Sequence, residues 1–231
     1  MAWWFSFNGT NSADMGVIVK EMPVIPRAER RAERIAIPGR DGHVTRGDDT
    51  YAPVDIVITC VIETTDKINE ISDWLRGSGD LVLSLEPDKA YKAEAFAPFG
   101  YGRLAKTWRE FPVTFTAQPF RYEAEPETIS LTASGTIYNP GTRFSLPVID
   151  VYGSGVLTIQ DGENTYEITV TATSGEDYVT INSEMQECYY GSAWRNSNVS
   201  GTFPKLQPGE ITVTLGTGIT RADITGNWRW Y

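Results

Sequence analysis

Glycine- and proline-containing turns interrupt the second half of this chain at short and regular intervals. β-Branched runs at residues 156–159, 166–170 and 211–215 lie between turn signals such as Asp161-Gly162. No segment in this half repeats its apolar residues with the period of a helix. Short strands at this spacing, joined by turns in which glycine or proline sets the backbone, are typical of a β-sandwich.

The first half combines strand patterns with one helical pattern. Ile68, Ile71 and Leu75 recur at helical spacing. They follow Thr65 and Asp66, whose side-chain oxygens we expect to cap the first turn of the helix. An amphipathic helix of this length needs a sheet to cover its apolar face. The sequence therefore predicts a mainly β chain with one α-helix in its first half.

A change in composition near residue 125 indicates two domains, at residues 1–125 and 126–231. The first range holds 15 of the 20 basic residues and carries a net charge of −4, whereas the second holds 5 and carries −6. A total charge of −10 argues against a nucleic-acid-binding protein and against electrostatic docking on an anionic membrane, since both need a cationic surface. We therefore expect neither nucleic acid nor membrane as a partner.

The cysteine content predicts a reducing compartment. Cys60 and Cys188 are too few for a disulfide framework, and Cys60 lies within an apolar run where it reads as a buried small side chain. The first residues, 1–5, contain no basic residue and no small-residue cleavage site, so we expect no signal peptide. Both features fit production in a cytosol that keeps thiols reduced.

No motif in the sequence carries catalytic, metal or cofactor chemistry. The single histidine, His43, has no Cys or carboxylate partners at metal-ligand spacing, and any Ser-His or Cys-His pair would have to use this one residue. The glycine pairs at 153–155 and 216–218 resemble fragments of phosphate-binding loops but complete no nucleotide fingerprint. We predict a protein that is not an enzyme and that binds no cofactor or metal.

A charged repeat and a glycine-rich turn stand out in the first half. Residues 27–34 read Arg-Ala-Glu-Arg twice, which is compatible with a short helix or with a solvated arm or edge. Residues 35–37 alternate as a strand does, and Pro38 to Gly42 then forms a tight turn, because proline fixes φ and glycine permits positive φ.

Aromatic residues form a second candidate site in the other half. Tyr189, Tyr190 and Trp194 cluster in a segment rich in glycine, serine and asparagine. Aromatic rings in such a segment can pack into a core or a protein interface, or they can stack on the faces of sugars. The sequence leaves these alternatives open.

The motifs of both halves, taken in order, resemble one known family. The matching segments are residues 5–9, 12–17, 35–42, 111–122, 139–141, 146–155 and 201–209. The strand that runs into Pro-Gly-Arg-Asp-Gly at 38–42 is the sharpest of them. Each motif is short, but their order and spacing resemble the distal tail proteins (Dit) of siphophages over the whole chain. The absence of long insertions resembles the short form of that family.

The resemblance implies a fold, a function and a set of partners. The fold is an N-terminal β-sandwich with one α-helix, which forms a ring, followed by a C-terminal galectin-like β-sandwich. The function is that of a structural virion protein at the distal end of a long non-contractile tail, assembled in the host cytoplasm. A homo-hexameric ring joins the tail tube protein to the tail-associated fibre or lysin protein, and some members also dock a receptor-binding protein.

The ring implied by the resemblance needs a closed heterologous interface. We expect the charged repeat and the strand after it to contact the neighbouring subunit, and the turn either shapes that interface or is a plain turn. The candidate interface residues are Arg30, Arg31, Arg34, Ile35, Ile37, Pro38, Gly39, Arg40, Asp41 and Gly42. The alternative function is a carbohydrate-binding module that uses Tyr189, Tyr190 or Trp194. A glycan-degrading enzyme is a third alternative, although no carboxylate pair stands out to support it.

Overall fold

A computed structural model describes residues 3–21, 23–95, 100, 102–103, 107–162 and 164–231. Met1 and Ala2, on which the expectation of no signal peptide partly rests, lie outside these residues. The described chain is mainly β and contains one α-helix, as predicted. It forms two compact units, Met1–Ala124 with Tyr231 and Glu125–Trp230.

The first unit is built on one large sheet. Its hydrogen-bonded order is β2-β1-β7-β8-β10-β6-β3, with β9 paired to β10. A separate hairpin consists of β4 and β5. The strands are β1 Phe5–Phe7, β2 Thr10–Asn11, β3 Ile18–Val19, β4 Arg30–Ile35, β5 Val44–Tyr51, β6 Val54–Ile62, β7 Gly77–Leu83, β8 Glu86–Ala95, β9 Gly102–Arg103 and β10 Arg109–Glu123.

The large sheet is curved, so that side chains from its distant strands pack against one another in one core. Strands β7 and β8 lie between β1 and β10. In a flat sheet the backbones of β1 and β10 would therefore be about 14 Å apart. The ring of Phe115 in β10 nevertheless lies 5.7 Å from that of Phe5 and 5.1 Å from that of Phe7. All three side chains are fully buried. Inward-facing residues of β6 complete this core, which is consistent with the β-sandwich that the resemblance implies for the first half.

The helix α1, Ile68–Trp74, covers this core. Ile71 and Leu75 are buried in it, and Trp74 stacks on Phe5 with ring centroids 5.4 Å apart. The indole N–H of Trp74 also donates to the carbonyl of Phe7 at 3.0 Å. These contacts fix one face of the helix against strand β1.

The predicted cap of this helix is wrong. The N-cap residue is Lys67, and no side chain caps the first turn. Thr65 acts through its backbone instead, because its carbonyl accepts from the amide of Ile68 at 3.1 Å. Tertiary packing of Ile71 and Trp74 therefore holds the helix, as is usual for short helices.

The second unit is a sandwich of two antiparallel sheets. One has the order β11-β21-β13-β16-β17-β18 and the other the order β12-β20-β14-β15-β19. A 3₁₀ helix lies at Asn196–Asn198. The strands are β11 Thr128–Leu131, β12 Gly135–Asn139, β13 Val148–Gly153, β14 Gly155–Asp161, β15 Asn164–Val170, β16 Tyr178–Asn182, β17 Glu187–Tyr190, β18 Ala193–Trp194, β19 Val199–Gly201, β20 Gly209–Leu215 and β21 Ile219–Thr225.

Alternating residues of both sheets form the core of this unit. Ile149 and Ile224 from the six-stranded sheet and Leu157 and Val213 from the five-stranded sheet are fully buried in one cluster. The predicted turn at Asp161 is confirmed, since β14 and β15 pair directly across it. The Asp161 carboxylate accepts the amide of Gln207 at 2.7 Å, so the turn is also tied to a later segment.

Candidate subunit interface and binding surfaces

The arm hairpin, residues 30–51, is exposed on both of its faces. Its antiparallel register pairs Ile35 with Val44 and Arg34 with Thr45. Every residue of β4 is exposed, and in β5 only Tyr51 is partly buried. An isolated two-stranded hairpin is at best marginally stable in water. This hairpin therefore has two faces that a partner can cover.

The apolar side chains of the arm hairpin gather at its tip. Ile35, Ile37 and Val44 expose 38%, 41% and 39% of their surfaces. Ile35 and Val44 are cross-strand partners directly beside the turn. Three exposed aliphatic side chains in one place form a small apolar patch of the kind that marks interaction sites.

The predicted turn at 38–42 is confirmed as a backbone feature. Gly39 and Gly42 have φ of +80° and +82°, and a Cβ on either residue would meet nothing within 4 Å. The amide of Arg40 donates to the carbonyl of Ile37 at 3.1 Å. Glycine is thus required here for its backbone conformation and not for a close approach, and the loop presents Arg40 and Asp41 to solvent.

The charged repeat forms strand β4, so the short-helix alternative is wrong. Arg30 pairs with Asp49 at 2.6 Å across the hairpin. Asp48 accepts from the hydroxyl and the amide of Thr50, and the hydroxyl hydrogen bond lowers the pKa of the Asp48 carboxyl. Arg31 and Arg34 are exposed on the strand.

The aromatic candidates lie on strands β17 and β18 of the six-stranded sheet. Tyr190 packs against Tyr178 with ring centroids 5.1 Å apart, and Tyr178 against Tyr152 at 5.3 Å. The guanidinium of Arg221 lies 3.8 Å from the Tyr152 centroid. This aromatic row crosses strands β21, β13, β16 and β17.

Trp194 and Tyr189 extend the aromatic surface at the edge of this sheet. The two residues are cross-strand partners, and Trp194 is 62% exposed. Arg195, next to Trp194, forms an ion pair with Glu176 through two guanidinium nitrogens. The hydrogen bond from Arg195 lowers the pKa of Glu176. The ion pair anchors the segment that carries the exposed indole.

Both thiols are buried. Both cysteines are free. Burial raises the pKa of Cys60 to about 12 and that of Cys188 to about 11, which removes the thiolate at neutral pH. His43 lies exposed on the arm hairpin. Among the described residues, no group of three His, Cys, Asp or Glu side chains could hold a metal ion, and no helix is long and apolar enough to cross a membrane.

Sequence reasoning missed a cationic cavity in the second unit. Three cations surround the ring of Phe144: the Cζ atoms of Arg143 and Arg229 lie 5.8 and 5.1 Å from its centroid, and Nζ of Lys205 lies at 5.8 Å. Phe144, Lys205 and Arg229 line a cavity of about 520 Å³ together with Ser183. Residues 126–231 contain only 5 basic residues. This scarcity was the one sequence feature that could have drawn attention to the three that surround Phe144.

These features define a mainly β protein of two compact units with an exposed arm hairpin. No protein-family model and no curated protein sequence matches the chain. Solved structures do match. One is the crystal structure of SPP1 Dit (gp 19.1), described as a paradigm of the hub adsorption apparatus in phages that infect Gram-positive bacteria.

The match to SPP1 Dit covers 100% of both chains. Its TM-score is 0.72 and its sequence identity is 14%. The resemblance inferred from the motifs is thereby confirmed for the fold. At this identity the similarity shows a shared fold and does not carry over individual residues.

Proposed function

We propose that this chain is a distal tail protein of a phage with a long non-contractile tail. In this proposal it is a structural component of the virion with no catalytic role, and it is assembled in the host cytoplasm. Six copies form a ring that joins the tail tube protein to the tail-associated fibre or lysin protein, with a receptor-binding protein as a further partner. The first domain, residues 1–125, forms the ring, and the second domain, residues 126–231, is galectin-like.

The observation that carries this proposal is the full-length match to SPP1 Dit. Both units of this chain are matched, since the alignment covers 100% of each chain at a TM-score of 0.72. A β-sandwich alone is shared by many unrelated functions. The same two units in the same order are a more specific feature than either unit alone.

The arm hairpin supplies a surface suited to ring formation. It is exposed on both faces, carries an apolar tip at Ile35, Ile37 and Val44, and presents Arg31 and Arg34. β4 holds three arginines and one glutamate, whereas the chain has a net charge of −10, so the strand and a neighbouring copy carry net charges of opposite sign. A heterologous contact of this kind closes into a ring if its rotation fits.

The molar mass in solution tests the proposal. Six chains of 25.7 kDa give about 154 kDa by light scattering after size exclusion. We expect this mass for the native chain and a smaller mass for Arg31→Glu/Arg34→Glu, because the reversed charges repel an acidic neighbour. Lys67→Glu/Arg76→Glu is the matched control, since it reverses two exposed charges outside the arm hairpin. A native chain that stays at 25.7 kDa at all concentrations contradicts self-assembly into a ring.

A second candidate function is glycan binding by the second unit. The observation in its favour is the aromatic row of Tyr152, Tyr178 and Tyr190 with the exposed Trp194 at its edge. Flat rings at a surface can stack on sugar faces. Binding on a glycan array that is lost in Trp194→Ala and Tyr190→Ala supports this function, whereas an array without any signal rejects it.

A further inference from the structure

We propose that the cavity beside Phe144 is a binding site for a small organic oxyanion, a carboxylate or a phosphate monoester attached to an apolar body. This cationic cavity lies wholly within the second unit. Binding at this cavity does not depend on ring formation, and the cavity is separate from the aromatic row of Tyr152, Tyr178 and Tyr190.

The charge distribution of the second half singles out this cavity. Residues 126–231 contain 5 basic residues and have a net charge of −6. Three of these 5 surround the ring of Phe144. Lys205 makes no ion pair with any residue that the structure describes, and its hydrogen bond with the Tyr166 hydroxyl uses its backbone carbonyl and leaves its ammonium group uninvolved. An ammonium at the mouth of a cavity is suited to a ligand oxyanion.

Ser183 supplies an independent sign of a missing ligand group. The residue is only 3% exposed and it lines the cavity. Its amide donates to the carbonyl of Pro147 at 3.0 Å. Its hydroxyl, in contrast, has no hydrogen-bond partner within the described part of the chain. Because buried hydroxyls are normally hydrogen-bonded, a rotation of this side chain toward the cavity would let a polar ligand atom satisfy its hydroxyl.

Aromatic and aliphatic side chains define the rest of the ligand. Phe144, Phe203 and Leu146 line the same cavity and offer surface to an apolar body. A second cavity of about 270 Å³ shares Phe203 and Thr202 with it and continues between the two sheets. A small ligand with a charged head and an uncharged body fits this combination of a few polar groups on apolar walls.

Glu184 also lines the cavity, and its replacement should change the affinity for an anion in a predictable direction. The residue is exposed, and its negative charge disfavours an anionic ligand in the cavity. Removing that charge should therefore strengthen binding of an anion. A neutral ligand should not respond in this way.

Saturation-transfer NMR on the full chain tests the site with three probes of one size: benzoate, phenyl phosphate and benzyl alcohol. We expect transfer to an anionic probe and none to benzyl alcohol. Preference between benzoate and phenyl phosphate identifies the head group. Lys205→Gln and Ser183→Ala should each weaken binding of the anionic probe about tenfold, as expected for the loss of one charged or buried hydrogen bond. Glu184→Gln should strengthen it.

The controls separate a binding role from a structural one. Ser183→Ala removes a hydroxyl without a partner, so its unfolding midpoint should match or exceed that of the native chain. Lys67→Gln makes the same charge change at an exposed site in the first unit and should leave binding unchanged. Absence of transfer to both anions, equal transfer to benzyl alcohol, or anion binding unaffected by Lys205→Gln and Ser183→Ala each overturns the proposal.

Discussion

The apolar tip of the arm hairpin gives the sharpest prediction about assembly. Full burial of a Val or Ile side chain is worth about 1.5–3 kcal/mol. Ile35, Ile37 and Val44 each expose roughly 40% of their surface, so covering all three contributes about 2–3 kcal/mol per interface. The variant Ile35→Ser/Ile37→Ser/Val44→Ser should therefore weaken association of neighbouring subunits about 30- to 150-fold.

Sedimentation velocity over a concentration series measures this loss. The midpoint of assembly should move to higher protein concentration, while far-ultraviolet circular dichroism of the dissociated chain stays unchanged, because the three side chains are already exposed in the single chain. The matched control is Val57→Ser/Leu85→Ser/Val156→Ser, which removes aliphatic groups that are 48%, 56% and 40% exposed outside the arm hairpin. An assembly midpoint that moves equally in both variants, or in neither, refutes the reasoning.

Three further predictions concern stability. Trp74→Phe keeps an aromatic ring but loses the hydrogen bond to Phe7, so urea denaturation should show a loss of about 1 kcal/mol; an unchanged midpoint contradicts it. The hydrogen bond from Arg195 lowers the pKa of Glu176 in the folded chain below its ordinary value of 4.5. The ion pair therefore stabilises the fold at pH values above 4.5, and this stabilisation is lost as the pH falls through the pKa of Glu176 in the folded chain. Glu176→Gln should therefore flatten the acid-side fall in thermal unfolding midpoint. Gly141→Ala places a Cβ 2.4 Å from a backbone carbonyl oxygen, and thermal unfolding should show destabilisation of about 1–3 kcal/mol.

Local patterns were sufficient to predict most of the elements. The apolar run that contains Cys60 forms strand β6, Val54–Ile62, because β-branched residues favour a half-buried strand. Helical spacing placed α1 correctly, but the cap failed, since capping depends on backbone geometry at Lys67 that spacing does not determine.

The arm hairpin shows why the charged repeat was ambiguous. Arg, Ala and Glu all favour helices, so residues 27–34 alone are compatible with one. The turn at 38–42 brings β5 beside β4, and the cross-strand hydrogen bonds override the weak local preference. Turn chemistry was therefore the better guide here than helix propensity.

The cationic cavity could not be predicted from any local pattern. Phe144, Ser183, Lys205 and Arg229 come from four connecting segments that are far apart in sequence. They meet only after both sheets of the second unit have formed. The aromatic row is intermediate, because Tyr190 was a candidate from its neighbourhood whereas Tyr152 and Tyr178 join it only through strand pairing.

Electron cryomicroscopy of the purified chain is the most direct test of the proposed hub function. The account predicts a closed sixfold ring in which the arm hairpin of each copy lies against its neighbour and covers Ile35, Ile37 and Val44. Particles of another symmetry, or a ring in which these three side chains face solvent, would contradict it.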